Sequence, residues 1–562
     1  MIPRLPKICT QLVKCIYIGI SLYILIIVTT TSPSSLFLTA KPFLFSNLAL
    51  LTTSALLVVV IFSLWQHRTI ELFPKQKTSN HKMSDTFQNL LARQTSIKPP
   101  DKVCQLKSSF PIFSITPLQN NCTILDKLVL QLTLFAIPIQ FYLTCNYYFR
   151  TGWDVGALDG GADALLLGNA DSVSSYLSIY PNNILLFLVM SICKRLDALF
   201  GIISPSNGTL PFILLNCFIS SVTGWLTYQN VLHFCTHRWA IIGFALYWGL
   251  VGISPWVGIP YSDSLALAFP SLILFLYTHN FTPILKWSLI GFLSGIAYNI
   301  KPQSFLIFIA IVIITFFHSK FSDLCKNSVV CIIFILSFFV SLLFPKFLLS
   351  PMGITLDSNQ SFSSAHFLMM GVNPRTHGYY ASEDIDFSSS FSNKGDRNRA
   401  NLRIFLQRMK NYGFAGYLNV LHDKTAYTYN DGTFAWSVEG NFWSTIYPME
   451  NNFISPAIRS FYYTDGSNYS IWCTWAQFLW LSTLLFSSFS VLSKQHSKSL
   501  SVLQLTLCGL FIFEMLFEVR ARYIYTCAPL FIVLAVIGLC NIDQFIQLRL
   551  KHISNNLFIE VK

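Results

Sequence analysis

The sequence predicts an all-α polytopic membrane protein, with about 13 transmembrane helices and a mixed extracytoplasmic loop domain. Three observations carry this prediction. Apolar runs long enough to cross a bilayer, which takes about 20 residues, recur along the chain. Only 11% of the 562 residues are charged and 53% are hydrophobic, whereas a soluble domain carries about 25% charged residues. The acidic residues are also concentrated: the segments 147–182 and 350–470 hold fourteen of the 25 Asp and Glu. Backbone inside hydrocarbon must satisfy its own hydrogen bonds, so the apolar runs are helices. The alternation of a membrane β-barrel, in segments of about ten residues, is absent.

Taken in order, spans are expected at about 12–31, 47–65, 127–146, 183–201, 209–231, 239–257, 262–277, 285–300, 302–318, 328–349, 471–491, 500–517 and 524–542. The first run follows Arg4, Lys7 and Lys14. It is long enough to span and reads as a retained signal anchor. Residues 1–65 thus hold two N-terminal helices, and 66–126 form a basic linker, with eight Lys/Arg against three acids over 66–125. The positive-inside rule puts that linker in the cytoplasm and the next polar loop, 147–182, outside. Residues 127–349 make a transmembrane core, 350–470 an extracytoplasmic domain, and 471–562 the last helices and a short cytoplasmic tail. Lys320, Lys326, Lys494 and Lys498 mark later cytoplasmic turns. Lys194–Arg195 and His237–Arg238 conflict, because both look cytoplasmic with one span between them. Either 183–201 is short or re-entrant, or one basic pair lies outside.

The net charge of +13 resides in short connections, where it meets anionic lipid rather than nucleic acid. The fourteen cysteines are scattered, without CxxC or His/Cys metal spacing, and read as apolar fillers. Gly-rich phosphate loops, GxSxG and HExxH are absent.

The chemistry gathers at polar segments. The first loop carries Asp154, Asp159, Asp163 and Asp171, with Arg150 its only basic residue. Asp154, in RTGWD, lies just past a span beside an aromatic residue, where a carboxylate suits the work of a general base. YPNN (180–183) reads as a helix cap. Pro260-Tyr261-Ser262-Asp263 sets Asp263 at a helix start, where either the helix dipole or a substrate explains it. Glu518-Val519-Arg520-Ala521-Arg522-Tyr523 puts two arginines at the outer membrane edge, against the positive-inside expectation. Arginine binds phosphate bidentately, so a lipid phosphate explains both. In the large segment, GVNPRTHGYYASEDID (371–386) and NDGTFAWSVEGNFW (430–443) mix glycine, aromatic and acidic residues. That is material for holding a sugar, and His377, Glu383, Asp384, Asp431 and Glu439 are its candidates. Residues 397–412 read as an amphipathic helix with Leu402, Phe405 and Met409 on one side and Gly413 as its stop. It suits either the membrane surface or a small loop core.

The tryptophan-flanked aspartate, the YSD turn, the late ExRxRY turn and the outer domain between spans resemble the GT-C superfamily of membrane glycosyltransferases, in particular its protein O-mannosyltransferase-like group. YPNN, NPRTHGYYASED and NDGTFAW–EGNF further resemble a bacterial integral-membrane subgroup, over roughly 130–545. The resemblance implies a GT-C-like core. It also implies an inverting enzyme that takes a sugar from a polyprenyl-phosphate carrier in the membrane lipid and passes it to a glycan, lipid or protein acceptor on the extracytoplasmic face of the cell membrane. Asp154 matches the base; Arg520 and Arg522, with Tyr523, match the turn that meets the carrier phosphate. Many relatives carry an Asp-Glu pair in the first loop, whereas this chain has Asp154-Val155, leaving Asp159, Asp163 or Asp263 as the second acid. No cofactor is required by these residues, and the surplus of aspartates leaves room for a divalent cation. Two rival functions share these features: a flippase for a lipid-linked saccharide, and a non-catalytic envelope-assembly protein.

Overall fold

The structure, a computed structural model, describes residues 5–31, 43–71, 123–148, 151–200, 209–319, 328–439, 451–493 and 497–560. Arg150, most of the basic linker, Lys320, Lys326, Lys494 and the 440–443 end of the second sugar-like string lie outside them. Two compact units are distinguished, Met1–Ser54 with Asn121–Lys562, and Ala55–Asn120. The described part of the second is the continuation of the Asn47–Glu71 helix. Both acidic segments belong to the first.

Among the described residues every regular element is a helix. Seven helices are long and apolar enough to cross a membrane: Leu5–Thr30, Ile124–Tyr147, Leu210–Phe234, Ser328–Met352, Tyr469–Leu492, Lys498–Leu516 and Ala521–Arg549. Three shorter apolar helices, Asn47–Phe62, Ser262–Thr278 and Pro302–His318, accompany them. Among the described residues, seven of the thirteen expected spans are thus met by a helix of spanning length and composition. The expected span 239–257 shows one reason. Its helix runs only over His237–Tyr247, passes into a π-turn at Trp248–Gly252, and breaks before Pro255.

Exposed backbone at such a break is tolerated in a membrane protein only where other groups satisfy it. Here buried amides do so. Gln140 Nε2 donates to the Gly252 carbonyl (2.5 Å), and Asn216 Nδ2 donates to those of Val257 and Ile259 (3.0 Å each). The broken stretch can therefore deliver Tyr261 and Asp263 to the inside of the bundle. Elsewhere helices approach closely: Gly291 and Gly295 of Pro283–Ile300 face Ser337 and Ser341 of Ser328–Phe347, and a Cβ on either glycine would overlap a serine hydroxyl. This is the small-xxx-small packing by which membrane helices associate.

The two acidic segments meet. The first folds as a hairpin of helices Trp153–Leu166 and Asp171–Ile179, followed by a turn at Pro181–Asn183 into Ile184–Phe200. Phe362 N donates to Ile179 O (3.0 Å) and Asp357 N to Ser178 Oγ (2.9 Å), tying the large segment to this hairpin. Gly378, whose φ of +90° suits glycine, has its carbonyl bonded by Val519 N (2.9 Å). Lys424 Nζ bridges the carbonyls of Gly371 and Phe517 (2.7 Å each). The large segment was expected to be mixed. Its described residues are instead helices and turns, the 36-residue Lys394–Tyr429 helix among them, held by side chains: buried Arg397 alone donates to the carbonyls of Asn359, Ser361, Ser388 and Phe391.

Lys194 bears on the topology conflict. It is buried and pairs with Asp159 (2.8 Å) and Asp163 (2.7 Å) of the first hairpin helix. A lysine so paired serves the packing of Ile184–Phe200 on that helix. It is not a solvated flank of the kind that sets orientation.

Candidate functional site

Where these segments converge lies a cavity of about 810 Å³. Its wall draws on chain positions from 152 to 523. Gly152, Trp153 and Asp154 come from the start of the first hairpin helix, and Tyr176, Tyr180, Asn182 and Asn183 from its return. Tyr261 comes from the broken stretch, His366 and Tyr380 from the large segment, and Glu439, Glu518, Arg520, Arg522 and Tyr523 from around the last connection.

Asp154 sits in the first turn of its helix, where the backbone dipole favours an anion. Tyr261 Oη donates to its Oδ2 (2.8 Å). Trp153 before it holds φ at +44°, an unusual value for a bulky residue, and here it turns the chain into the cavity wall. The three other aspartates of the loop do different work. Asp159 and Asp163 neutralise Lys194, and Asp171 is exposed at the start of the return helix.

Facing Asp154 is an ionic cluster. Glu439 accepts from Arg520 Nη1 (2.6 Å) and from Tyr379 Oη (3.1 Å), and pairs with Arg522 Nη1 (3.4 Å). Glu518 accepts from Arg520 Nε (3.1 Å). Both guanidinium groups stack on rings, Arg520 over Tyr379 and Arg522 over Trp153, each 4.8 Å from the centroid. Such stacking holds a planar cation in one orientation. Burial opposes ionisation of Glu439, but Arg522 and Arg520 outweigh it and hold the carboxyl below its ordinary 4.5. Folding therefore gains from this carboxylate above about pH 4.5 and loses that gain as pH falls through the lowered value. Thermal unfolding from about pH 7 to about pH 3 is expected to show a stability advantage of wild type over Glu439→Gln that shrinks with acid. An advantage of constant size would break the link to this carboxylate.

On the polar side of the cavity, Asn183 Nδ2 donates to Tyr176 Oη (2.7 Å). Burial and the nearby Asp154 push the Tyr180 phenol up to about 12. Burial pushes His366 down to about 4, so its ring is neutral, with Nδ1 at 2.7 Å from Ser388 Oγ. Phenols, amides and a neutral imidazole are groups that exchange hydrogen bonds with hydroxyls.

The candidates chosen from sequence thus separate. Asp154, Glu439, Arg520, Arg522 and Tyr523 share the cavity wall. Asp263 lies behind it, buried and ion-paired with Lys301. The other four are engaged elsewhere. Asp431 has both oxygens filled by its own loop, Thr433 N (2.8 Å) and Oγ1 (2.6 Å) on one and Ala435 N (3.0 Å) and Ser437 Oγ (2.9 Å) on the other. Asp384 takes Arg408 bidentately (2.9 and 2.7 Å). His377 pairs with Asp423, and Glu383 rests near Arg375 (3.7 Å) at the surface. YPNN, read as a cap, forms a 3₁₀ turn before its helix without a side-chain cap bond, and its Tyr180, Asn182 and Asn183 line the cavity. His366 carried no signal in the sequence, because its position depends on the tie between 362 and 179. Among the described residues no cluster of three His, Cys, Asp or Glu is arranged to hold a metal.

Fold and cavity together define a multi-pass helical membrane protein with an ionic pocket built from both of its acidic segments. The chain belongs to the family of conserved hypothetical integral membrane proteins, whose family model matches residues 118–541. The match includes every residue of the cavity wall and leaves out the first two helices and most of the basic linker. No curated protein and no solved structure matches the chain.

Proposed function

We propose that the protein is a GT-C-like membrane glycosyltransferase that transfers a sugar from a polyprenyl-phosphate carrier to an acceptor on the extracytoplasmic face of the cell membrane. The observation that supports this reading most is the sharing of one cavity by Asp154, Arg520 and Arg522. A base and a phosphate clamp are the two groups such a transfer needs. In the proposed reaction Asp154 takes the proton of an acceptor hydroxyl, the freed oxygen attacks the anomeric carbon, and the bond to the carrier phosphate breaks. The phosphate leaves as an anion beside the guanidinium groups. Tyr261 donates to Asp154 Oδ2 and the Tyr176 phenol also bonds this carboxylate, so two phenols orient the proposed base.

Three carboxylates (Asp154, Glu439, Glu518) and two guanidinium groups line the cavity. A phosphate must therefore share the arginines with Glu439, or replace it. Arg520→Ala and Arg522→Ala are each expected to weaken use of the lipid donor by about ten- to a hundredfold, read as kcat/KM against donor concentration. Unchanged donor dependence in both variants would remove the phosphate argument. The proposed residues require no cofactor and leave room for a divalent cation, and the acceptor classes are those that the resemblance implies: a glycan, a lipid or a protein.

One observation favours a second reading, movement of a lipid-linked saccharide. Asp263, Lys301 and Glu514 are buried among the helices, and intramembrane charges often mark transport paths. Purified protein given a radiolabelled polyprenyl-phosphate sugar separates the two. Label appearing on an acceptor with release of polyprenyl phosphate supports transfer. Intact donor moved across vesicles supports transport, and neither outcome would leave a non-catalytic assembly role.

A further inference from the structure

The helix that starts at Lys394 is turned inside out. Leu402, Phe405 and Met409 recur at helical spacing, as though to face a protein core. The buried side instead carries Arg397 and Asn401, with Arg408 beside them paired to Asp384 (2.7 Å). The four carbonyls bonded by Arg397 and the Asp384 pair fix the rotation of the helix about its axis. Leu402 and Leu406 consequently face outward, 42% and 63% exposed, with Phe405 and Met409 half-buried next to them. Beside this apolar sector, on the adjoining stripe of the helix, stand the exposed Arg399, Arg403 and Lys410. Asp396 pairs with Arg399 (2.5 Å), so three cations and one acid leave two net positive charges on the face. Gly413, with φ +58°, breaks the helix, and Phe414 beyond it is 84% exposed.

Apolar side chains in one sector and cations in the next are the pattern of a helix that lies in a lipid headgroup layer. We propose that residues 394–414 are an interfacial helix seated on anionic phospholipid of the bilayer that the protein spans. The leucines reach toward the acyl chains, while the basic side chains extend to the phosphates on their flexible stems. Charge argues for lipid over a second copy of the chain, because two such faces would repel each other. The seat matters for the cavity. Arg408 Nη1 donates to the Met369 carbonyl (2.7 Å), and the neighbouring Met370 and Phe367 line the cavity wall. This inference stands independently of the glycosyltransferase reading.

The test is photo-crosslinking of the full chain with p-benzoylphenylalanine replacing Leu406 or, on an exposed position away from the sector, Asn411. The protein is placed in vesicles of phosphatidylcholine, with or without phosphatidylglycerol, and adducts are read by mass spectrometry. Lipid adducts are expected at 406, rising with phosphatidylglycerol, and few at 411. Arg403→Ala and Lys410→Ala should each cut the phosphatidylglycerol gain by up to about fivefold. Equal yields at both sites, indifference to phosphatidylglycerol, or adducts to a second copy of the chain would each overturn the proposal.

Discussion

Asp154→Asn is expected to lower sugar transfer by about 10²–10⁴-fold while the protein still inserts and folds. The substitution keeps the shape of the side chain and its contact with Tyr261 Oη, which donates equally well to an amide oxygen. What it removes is the basic carboxylate, since an amide oxygen accepts a hydrogen bond but does not take up a proton near neutral pH. The stacking of Arg522 over Trp153 does not depend on the charge, and the helix start loses only the dipole's preference for an anion, about 0.3–1 kcal/mol. Turnover should therefore fall with little change in thermal stability or in donor binding. Near-normal turnover in Asp154→Asn would sink the base assignment. A loss of stability as large as the loss of rate would mean that the carboxylate holds the loop together rather than acting on a substrate.

The second large effect concerns stability. Lys301 and Asp263 form an ion pair away from water, with side chains 5% and 1% exposed. Lys301 follows the Pro283–Ile300 helix and lies 4.8 Å from the ring centroid of Tyr523. Removing one partner of such a pair strands the other charge in a medium that cannot solvate it. Lys301→Met is expected to cost about 3–5 kcal/mol, seen as a lower unfolding temperature in detergent. Replacing both charges, Asp263→Asn with Lys301→Met, should recover most of that loss. The decisive comparison is single against double variant: if the single variant is as stable as wild type, the pair is not buried as described. Because Lys301 touches Tyr523 and Tyr523 lines the cavity, the single variant should also disturb donor use, and the double variant should disturb it less.

Fold class was legible because hydropathy survives in one dimension. The seven long apolar helices lie at runs read as spans, whereas the run at 239–257 breaks into a π-turn that hydropathy does not reveal. The site was legible only in part. Asp154 and Arg522 stood out because each breaks a local rule, an acid crowded near a span and a cation at an unexpected edge. Tyr176, Asn183 and His366 break no rule. Their presence in the cavity comes from contacts between residues far apart in the chain, such as Phe362 N to Ile179 O. Asp431 misled for the opposite reason. Its mixture of glycine, aromatic and acid suits a sugar site, but a tight loop needs the same ingredients, and Phe434 and Ala435 at φ +56° and +69° show how tight it is. The partners of Lys194, Asp159 and Asp163, lie a helix away, and no charge count reveals them.

The cavity wall, drawn from residues 152 to 523, also carries a consequence for biogenesis. Asp154 and the first hairpin leave the ribosome long before Arg520 and Arg522 are made. In the interval Glu439 has no guanidinium partner, and a carboxylate of that kind resists burial. The pocket can close only when the last span is in place. Until then the Glu439 carboxylate lacks the two guanidinium partners that it has in the finished chain, so the ionic cluster of the pocket is the last part of the wall to be completed.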